Sequence, residues 1–172
     1  MSWALQHQGS GVRAAVPIYV YMASDDAAPS AAASEGGLCM QIASDLHLEM
    51  YSELPPLHEI LRPSAPVLAL LGDISALGQP KGRAVYEKFL EACSTQWQTI
   101  LLLAGNHEYY SARGDDLCTV NDVLTYMRGL STMWQNVRFL ENEAMSIDGV
   151  RVAGTVLWTH VPPCQTIDGP PR

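Results

Sequence analysis

The chain has 172 residues, enough for one domain, and its 48% hydrophobic and 16% charged residues are those of a folded protein. Its formal net charge of -8, from 10 Lys and Arg against 18 Asp and Glu, argues against nucleic acid as a partner, because phosphate binding requires a basic surface. Cysteines at positions 39, 93, 118 and 164 form no closely spaced pair, which argues against a disulfide framework or zinc knuckle and predicts reduced thiols in the cytoplasm.

The first 37 residues are predicted to be a low-complexity or disordered extension. Their apolar stretch, residues 14–23, is broken by Pro17 and is shorter than the roughly 20 residues that a membrane helix requires. Residues 24–37 read SDDAAPSAAASEGG, a small-residue composition typical of a mobile linker. We therefore expect no membrane association and a folded part that begins near residue 38.

From residue 38 the chain alternates between strand and helix patterns. LCMQIASD, PVLALLGD and QTILLLAGN are apolar runs typical of buried parallel strands. Helical spacing of apolar residues at 85, 89, 90 and 93, and again from 117 to 127, predicts two helices, and a brief helix is expected over residues 57–61. This order predicts an α/β fold with a largely parallel central sheet.

The last predicted elements are strands. NVRFL is one strand, and EAMSIDGVRVAGTVLW is predicted to form a hairpin that turns at Asp148-Gly149.

Two of the apolar strands end in side chains that suit a metal ion. Asp45 and His47 lie two residues apart, so in an extended backbone both would project to one face, about 7 Å apart. Asp73 follows Gly72 at the carboxyl end of the next strand, where open α/β sheets place their ligands. In the alternative interpretation, both segments are plain surface turns.

The third strand ends in a glycine, an amide, an imidazole and a carboxylate in succession. Gly105 lets the backbone turn tightly, and Asn106 supplies an amide oxygen suited to a hard or borderline cation. His107 could stabilise charge on a phosphoryl oxygen or protonate a leaving alkoxide. Glu108 would orient that imidazole by a hydrogen bond. The alternative is a polar turn after a buried strand.

The blocks D-x-H, G-D and G-N-H-E, in that order and each closing an apolar strand, resemble the calcineurin-like metallophosphoesterase family. The resemblance covers residues 40–158 and implies a β-sandwich flanked by helices. It also implies a dinuclear centre of divalent or trivalent ions, Mn, Fe, Zn or Mg, that hydrolyses phosphomonoesters or phosphodiesters.

The same resemblance assigns roles to individual residues. It implies four metal ligands, namely Asp45, His47, Asp73 and Asn106. Asp73 would bridge the two metals, His107 would be the general acid or would contact the phosphate, and Glu108 would support it. Two cations about 4 Å apart would hold the phosphate and lower the pKa of a bridging water.

The family pattern continues with histidine ligands that this chain lacks, including a Gly-His-x-His block. His7 falls in the extension, His58 in a Pro-rich loop, and His160 after the strand ending at Trp158. We therefore expect a truncated domain over residues 38–160, an irregular tail over residues 161–172, and weakened metal binding.

Three functions remain open on the sequence. The first is a metal-dependent phosphoester hydrolase with a dinuclear centre, impaired by the truncation. The second is a catalytically inactive binding or regulatory module of the same fold, favoured by the missing ligands. The third is a nuclease, against which the acidic charge balance argues.

Overall fold

The structure, a computed structural model, describes residues 37–111 and 119–157, together with the backbone of residues 18–24. Within these ranges the chain forms an α/β fold of seven strands, three α-helices and two short 3-10 helices. None of the described helices is long and apolar enough to cross a membrane. Cys39 and Cys93 are free thiols, and the other two cysteines lie outside the described residues.

A parallel sheet forms the centre of the fold, as the sequence predicts. Its strands, in the spatial order β2-β3-β4-β5, are Met40–Ala43, Val67–Leu71, Thr99–Leu103 and Val137–Phe139. All three pairings are parallel, so the carboxyl ends of the strands meet at one edge of the sheet.

Three helices connect these strands, two where the apolar periodicity predicts them and one where a brief helix is expected over residues 57–61. They are α1 at Leu57–Ile60, α2 at Pro80–Ser94 and α3 at Val120–Met133. Helix α2 begins with a proline, which fits the first turn because no N–H is needed there. Helix α3 begins with a capping box between Thr119 and Asp122.

A second, antiparallel sheet lies beside the parallel one. Strands β6, Glu143–Ile147, and β7, Val150–Val156, form the predicted hairpin. Its turn has φ of 51° at Asp148 and 76° at Gly149, positive values that suit the tight turns of hairpins. The prediction of a hairpin at this dipeptide is confirmed.

The parallel sheet buries both of its faces. Alternate side chains along each strand point to opposite faces and belong to two different hydrophobic clusters. The cluster on one face contains residues of α2 and α3 together with Leu68, Leu70, Ile100 and Leu102. Val67, Ala69 and Leu101 pack instead with Val152 of β7. This second cluster is the kind of contact that the expected β-sandwich requires; the sandwich as a whole and the domain end at residue 160 remain predictions.

Part of the predicted extension belongs to the antiparallel sheet. Residues 18–24 form β1, Ile18–Ser24, which pairs antiparallel with β7 from one end of β1 to the other. The expected domain start near residue 38 therefore misses this strand, because the unpaired edge of β7 offers backbone groups to a segment distant in sequence. Residues 1–17, 25–36 and 158–172, with His7, His160 and the predicted tail, lie outside the described residues.

Candidate metal centre

The loops that follow β2 and β3 turn through left-handed backbone at three candidate ligands. Asp45 and His47 have φ of 57° and 47°, and Asp73 has φ of 54°. The backbone from Asp45 to His47 is therefore not extended, so the condition under which both side chains would project to one face is not met. Asp and His adopt positive φ more readily than most residues, and such positions concentrate at functional sites.

Backbone hydrogen bonds join these two loops. The amide of Asp45 donates to the carbonyl of Gly72 at 3.2 Å, and the amide of His47 donates to the carbonyl of Asp73 at 3.1 Å. The loops therefore stay paired beyond the carboxyl ends of β2 and β3, and this pairing keeps His47 beside Asp73.

Two glycines allow the loops after β3 and β4 to approach each other. A Cβ atom at Gly72, where φ is 78°, would collide with the backbone of Gly105. A Cβ atom at Gly105 would collide with the Asp73 carboxylate. The sequence indicates that Gly105 allows a tight turn of the backbone. In the structure its φ is not positive, and a glycine is needed there because any side chain would collide with Asp73.

Hydrogen bonds to the side chain of Glu108 connect the loops after β3 and β4. Its fully buried carboxylate accepts hydrogen bonds from the backbone amides of Asp73 at 2.9 Å, Gly105 at 2.7 Å and Ile74 at 2.8 Å. Burial raises the pKa of Glu108 to about 7, although the three N–H groups favour the ionised form. The prediction that Glu108 orients His107 is wrong, because both of its oxygens bind backbone amides.

The carboxylate beside His107 belongs to Glu49, which sequence reasoning missed. Its Oε1 lies 3.3 Å from Nδ1 of His107 and 3.7 Å from Nδ1 of His47. Its Oε2 accepts a hydrogen bond from the amide of Ala76 at 3.3 Å. One signal could have found it, since Glu49 extends the spacing of Asp45 and His47 by two more residues, as D-x-H-x-E.

His47, Asp73 and His107 converge at the carboxyl ends of three adjacent parallel strands. One ligand atom from each residue lies within 4.8 Å of the others. The Nδ1 atoms of the two histidines are 3.2 Å apart, and their rings meet edge to face with centroids 4.2 Å apart. Among the described residues, no other group of three or more His, Cys, Asp or Glu side chains is close enough to hold a metal ion.

Two predicted ligands stand outside this group of three. The side-chain nitrogen of Asn106 donates to the hydroxyl of Tyr110 at 2.9 Å, so Oδ1 is the atom left to contact a cation. Tyr110 in turn packs on the ring of His107, with centroids 4.5 Å apart. Asp45 is exposed, and its carboxylate does not join the group.

Comparison with known families identifies the architecture that carries these residues. The family model of the calcineurin-like phosphoesterases matches residues 42–160, more than half of the chain. The chain belongs to this family. The resemblance based on the three sequence blocks is confirmed, and all three residues of the candidate centre lie within the match. Calcineurin-like phosphoesterases act on phosphoester substrates and usually bind divalent metals.

One curated relative extends well beyond the region shared with this chain. The uncharacterized protein L509 of Acanthamoeba polyphaga mimivirus is 28% identical over 130 residues, which cover 71% of this chain and 45% of the viral protein. The chain therefore spans less than half the length of this relative. No solved structure gives a significant match.

Proposed function

We propose that this calcineurin-like phosphoesterase hydrolyses phosphoesters with the help of metal ions held at His47, Asp73 and His107. The observation that carries the proposal is the convergence of their ligand atoms to within 4.8 Å at the carboxyl edge of the parallel sheet. Ligands of α/β proteins bind at this edge.

The chemistry of the three donors fits a borderline divalent cation. Two imidazole nitrogens and one carboxylate oxygen are ligands that zinc, iron and manganese accept, and catalytic zinc sites commonly have three protein ligands. Oδ1 of Asp73 accepts a hydrogen bond from the amide of His107 at 2.8 Å, which leaves Oδ2 as the oxygen available to a cation.

A dinuclear centre is part of the proposal and needs further donors. Asp45 and Asn106 follow the same strands as the three converging residues, and with His47 and Asp73 they would make up the four ligands that the family pattern implies. Asp73 would then bridge the two ions. When bound, such ions would supply Lewis-acid stabilisation of the phosphoryl oxygens.

A second role open to His107 is contact with the substrate instead of a metal ion. Its side chain is 21% exposed, so the imidazole is accessible from solvent while its surroundings hold it in place. From this position the ring, when protonated on both nitrogens, could donate a hydrogen bond to a phosphoryl oxygen or a proton to a leaving alkoxide. Metal ligation by His107 is the competing role, and loss of metal affinity in His107→Ala would support that role.

The second candidate function is a binding module that holds one metal ion without hydrolysis. The specific observation in its favour is that the described residues provide a single group of three donors, enough for one cation. Equilibrium dialysis of the purified chain against Mn²⁺ or Zn²⁺ separates the two functions. Two ions per chain support the dinuclear hydrolase, and one ion without turnover supports the binding module.

Hydrolysis of a chromogenic phosphoester in the presence of Mn²⁺ tests the proposed activity. We expect turnover by the wild type and its loss in Asp73→Asn. Asp148→Asn is the matched control, because it makes the same chemical change at another position of positive φ, in the β6–β7 turn, where asparagine is well tolerated. Absence of turnover in the wild type, or equal turnover in Asp73→Asn, would contradict the proposal.

A further inference from the structure

We infer that Glu49 is a positioning residue that fixes the ring orientation and the tautomer of His107, and through it those of His47. The inference deepens the proposed function, and it rests on that function only in taking the two histidines as parts of a metal centre. Its basis is the contact of one carboxylate oxygen with the Nδ1 atoms of both rings.

Hydrogen bonds of both its side chain and its backbone hold Glu49 in place. Its Oε2 accepts a hydrogen bond from the Ala76 amide, its backbone carbonyl accepts one from Nζ of Lys81 at 2.9 Å, and its side chain is only 8% exposed. The residue lies in the 3-10 helix Leu48–Met50, which the fully buried Leu48 anchors in the core. A carboxylate fixed in this way can determine how a neighbouring imidazole is oriented.

The distances assign the ring hydrogens in the neutral histidines. An ionised carboxylate only accepts hydrogen bonds, so the nearer ring nitrogen, Nδ1 of His107 at 3.3 Å, must carry the hydrogen. Nδ1 of His47 lies 3.2 Å from the same nitrogen and therefore presents its lone pair. Nε2 of His107 is then left without a hydrogen, as a lone pair able to face a cation.

Glu49 thus has the role for which the sequence favoured Glu108. A carboxylate that orients the imidazole of a metal site typically contributes about 10- to 100-fold to metal affinity. Glu108 cannot supply this contribution directly, since its two oxygens accept three backbone hydrogen bonds. Glu49 has one oxygen on a backbone amide and the other on the histidines.

Glu49→Gln separates this role from a merely structural one. The glutamine carbonyl can still accept the hydrogen bond of the Ala76 amide, so the fold keeps that contact. Its NH₂ group, however, faces Nδ1 of His107 as a donor, so the ring hydrogen should move to Nε2. Glu53→Gln, at an exposed position a few residues along the chain, is the matched control.

The decisive readout is the nitrogen NMR spectrum of the histidine rings in the metal-free full chain. We expect His107 to show a protonated Nδ1 in the wild type and in Glu53→Gln, and a protonated Nε2 in Glu49→Gln. Unchanged ring-nitrogen signals in Glu49→Gln would overturn the inference. If that variant fails to fold, the wild-type spectrum alone decides, because a hydrogen on Nε2 of His107 would overturn it.

Metal affinity provides a second readout. Calorimetric titration with Mn²⁺ or Zn²⁺ should show about 10- to 100-fold weaker binding to Glu49→Gln than to Glu53→Gln. Affinity in Glu49→Gln equal to that of the control would contradict a role in metal binding. The two proposals fail separately. A wild type without hydrolysis but with the predicted tautomer change would refute only the proposed function, whereas turnover with unchanged ring signals would refute only the role of Glu49.

Discussion

Replacing Glu108 should destabilise the whole fold, because its side chain joins two loops from inside the protein. Glu108→Ala removes the acceptor for the backbone amides of Asp73, Ile74 and Gly105, and the buried carboxylate has no solvent-exposed surface. Glu108→Gln keeps the size of the side chain but turns one acceptor into a donor, which must then face a backbone N–H. The alanine variant should therefore be the less stable of the two.

The number of lost hydrogen bonds sets the size of the effect. A buried N–H without a partner costs about 1–3 kcal/mol, so three of them would cost about 3–9 kcal/mol. Removing the carboxylate also relieves the cost of burying it, and relaxation of the loops lets water reach some amides. We therefore expect a loss of about 3 kcal/mol or more in Glu108→Ala and of about 1–3 kcal/mol in Glu108→Gln. The larger loss is a substantial part of the 5–15 kcal/mol typical of a domain.

Urea unfolding followed by tryptophan fluorescence, to which the buried Trp97 contributes, measures this loss. Glu91→Ala, at an exposed position on α2, is the control and should change the free energy of unfolding by no more than about 0.5 kcal/mol. If the free energy of unfolding of Glu108→Ala were within about 0.5 kcal/mol of the wild-type value, the hydrogen bonds of Glu108 would not stabilise the two loops as argued.

Three further predictions concern the same fold. Because burial raises the pKa of Glu108 from 4.5 to about 7, the folded state binds this proton more tightly than the unfolded state does. The free energy of unfolding should therefore fall as the pH rises from 4.5 through 7, and urea unfolding at pH 4.5 to 8 should show a steeper fall in the wild type than in Glu108→Gln. Gly105→Ala should lower the melting temperature and abolish metal binding, because the added Cβ would collide with Asp73. Gly129→Ala in α3 is the control, since its Cβ has free space and should stabilise the fold by about 0.5–1 kcal/mol. Equal melting temperatures in the two variants would contradict the steric argument. Thr119→Ala removes the capping box of α3 and should lower the free energy of unfolding by about 1 kcal/mol, measured by urea unfolding. An unchanged free energy of unfolding would contradict the capping argument.

The strands, the helices and the general location of the centre follow from the sequence because they depend on local patterns. Uninterrupted apolar runs such as TILLL identify strands buried on both faces, and apolar side chains at helical spacing identify α2 and α3. Once the strands are parallel, their carboxyl ends must lie together. His47, Asp73 and His107, each following one of these strands, are then brought to the same edge.

The details that the sequence does not provide depend on contacts between distant segments. The left-handed turns at Asp45 and His47 place these residues in pairing distance of the next loop, and no local pattern specifies that pairing. Strand β1 is missed for the same reason, because its partner is β7 at the other end of the chain.

The partner of His107 was misassigned because neighbours in sequence were taken as neighbours in space. His107 and Glu108 are consecutive residues of the 3-10 helix His107–Tyr109, where three residues complete a turn and adjacent side chains point about 120° apart. One of them therefore faces the protein interior while the other faces the edge of the sheet. Only a residue from another loop can contact the imidazole, and Glu49 is that residue.

These two carboxylates have separable effects on the centre. Glu108 has no exposed surface, and its carboxylate accepts hydrogen bonds from three backbone amides. Any loss of metal binding in its variants should therefore act through the geometry of the loops and be accompanied by a loss of stability. Glu49 contacts the imidazoles directly, so Glu49→Gln should weaken metal binding while the free energy of unfolding stays close to that of the wild type. The geometry of the loops and the orientation of the imidazoles are thus controlled by different residues, Glu108 within the G-N-H-E block and Glu49 two residues beyond D-x-H.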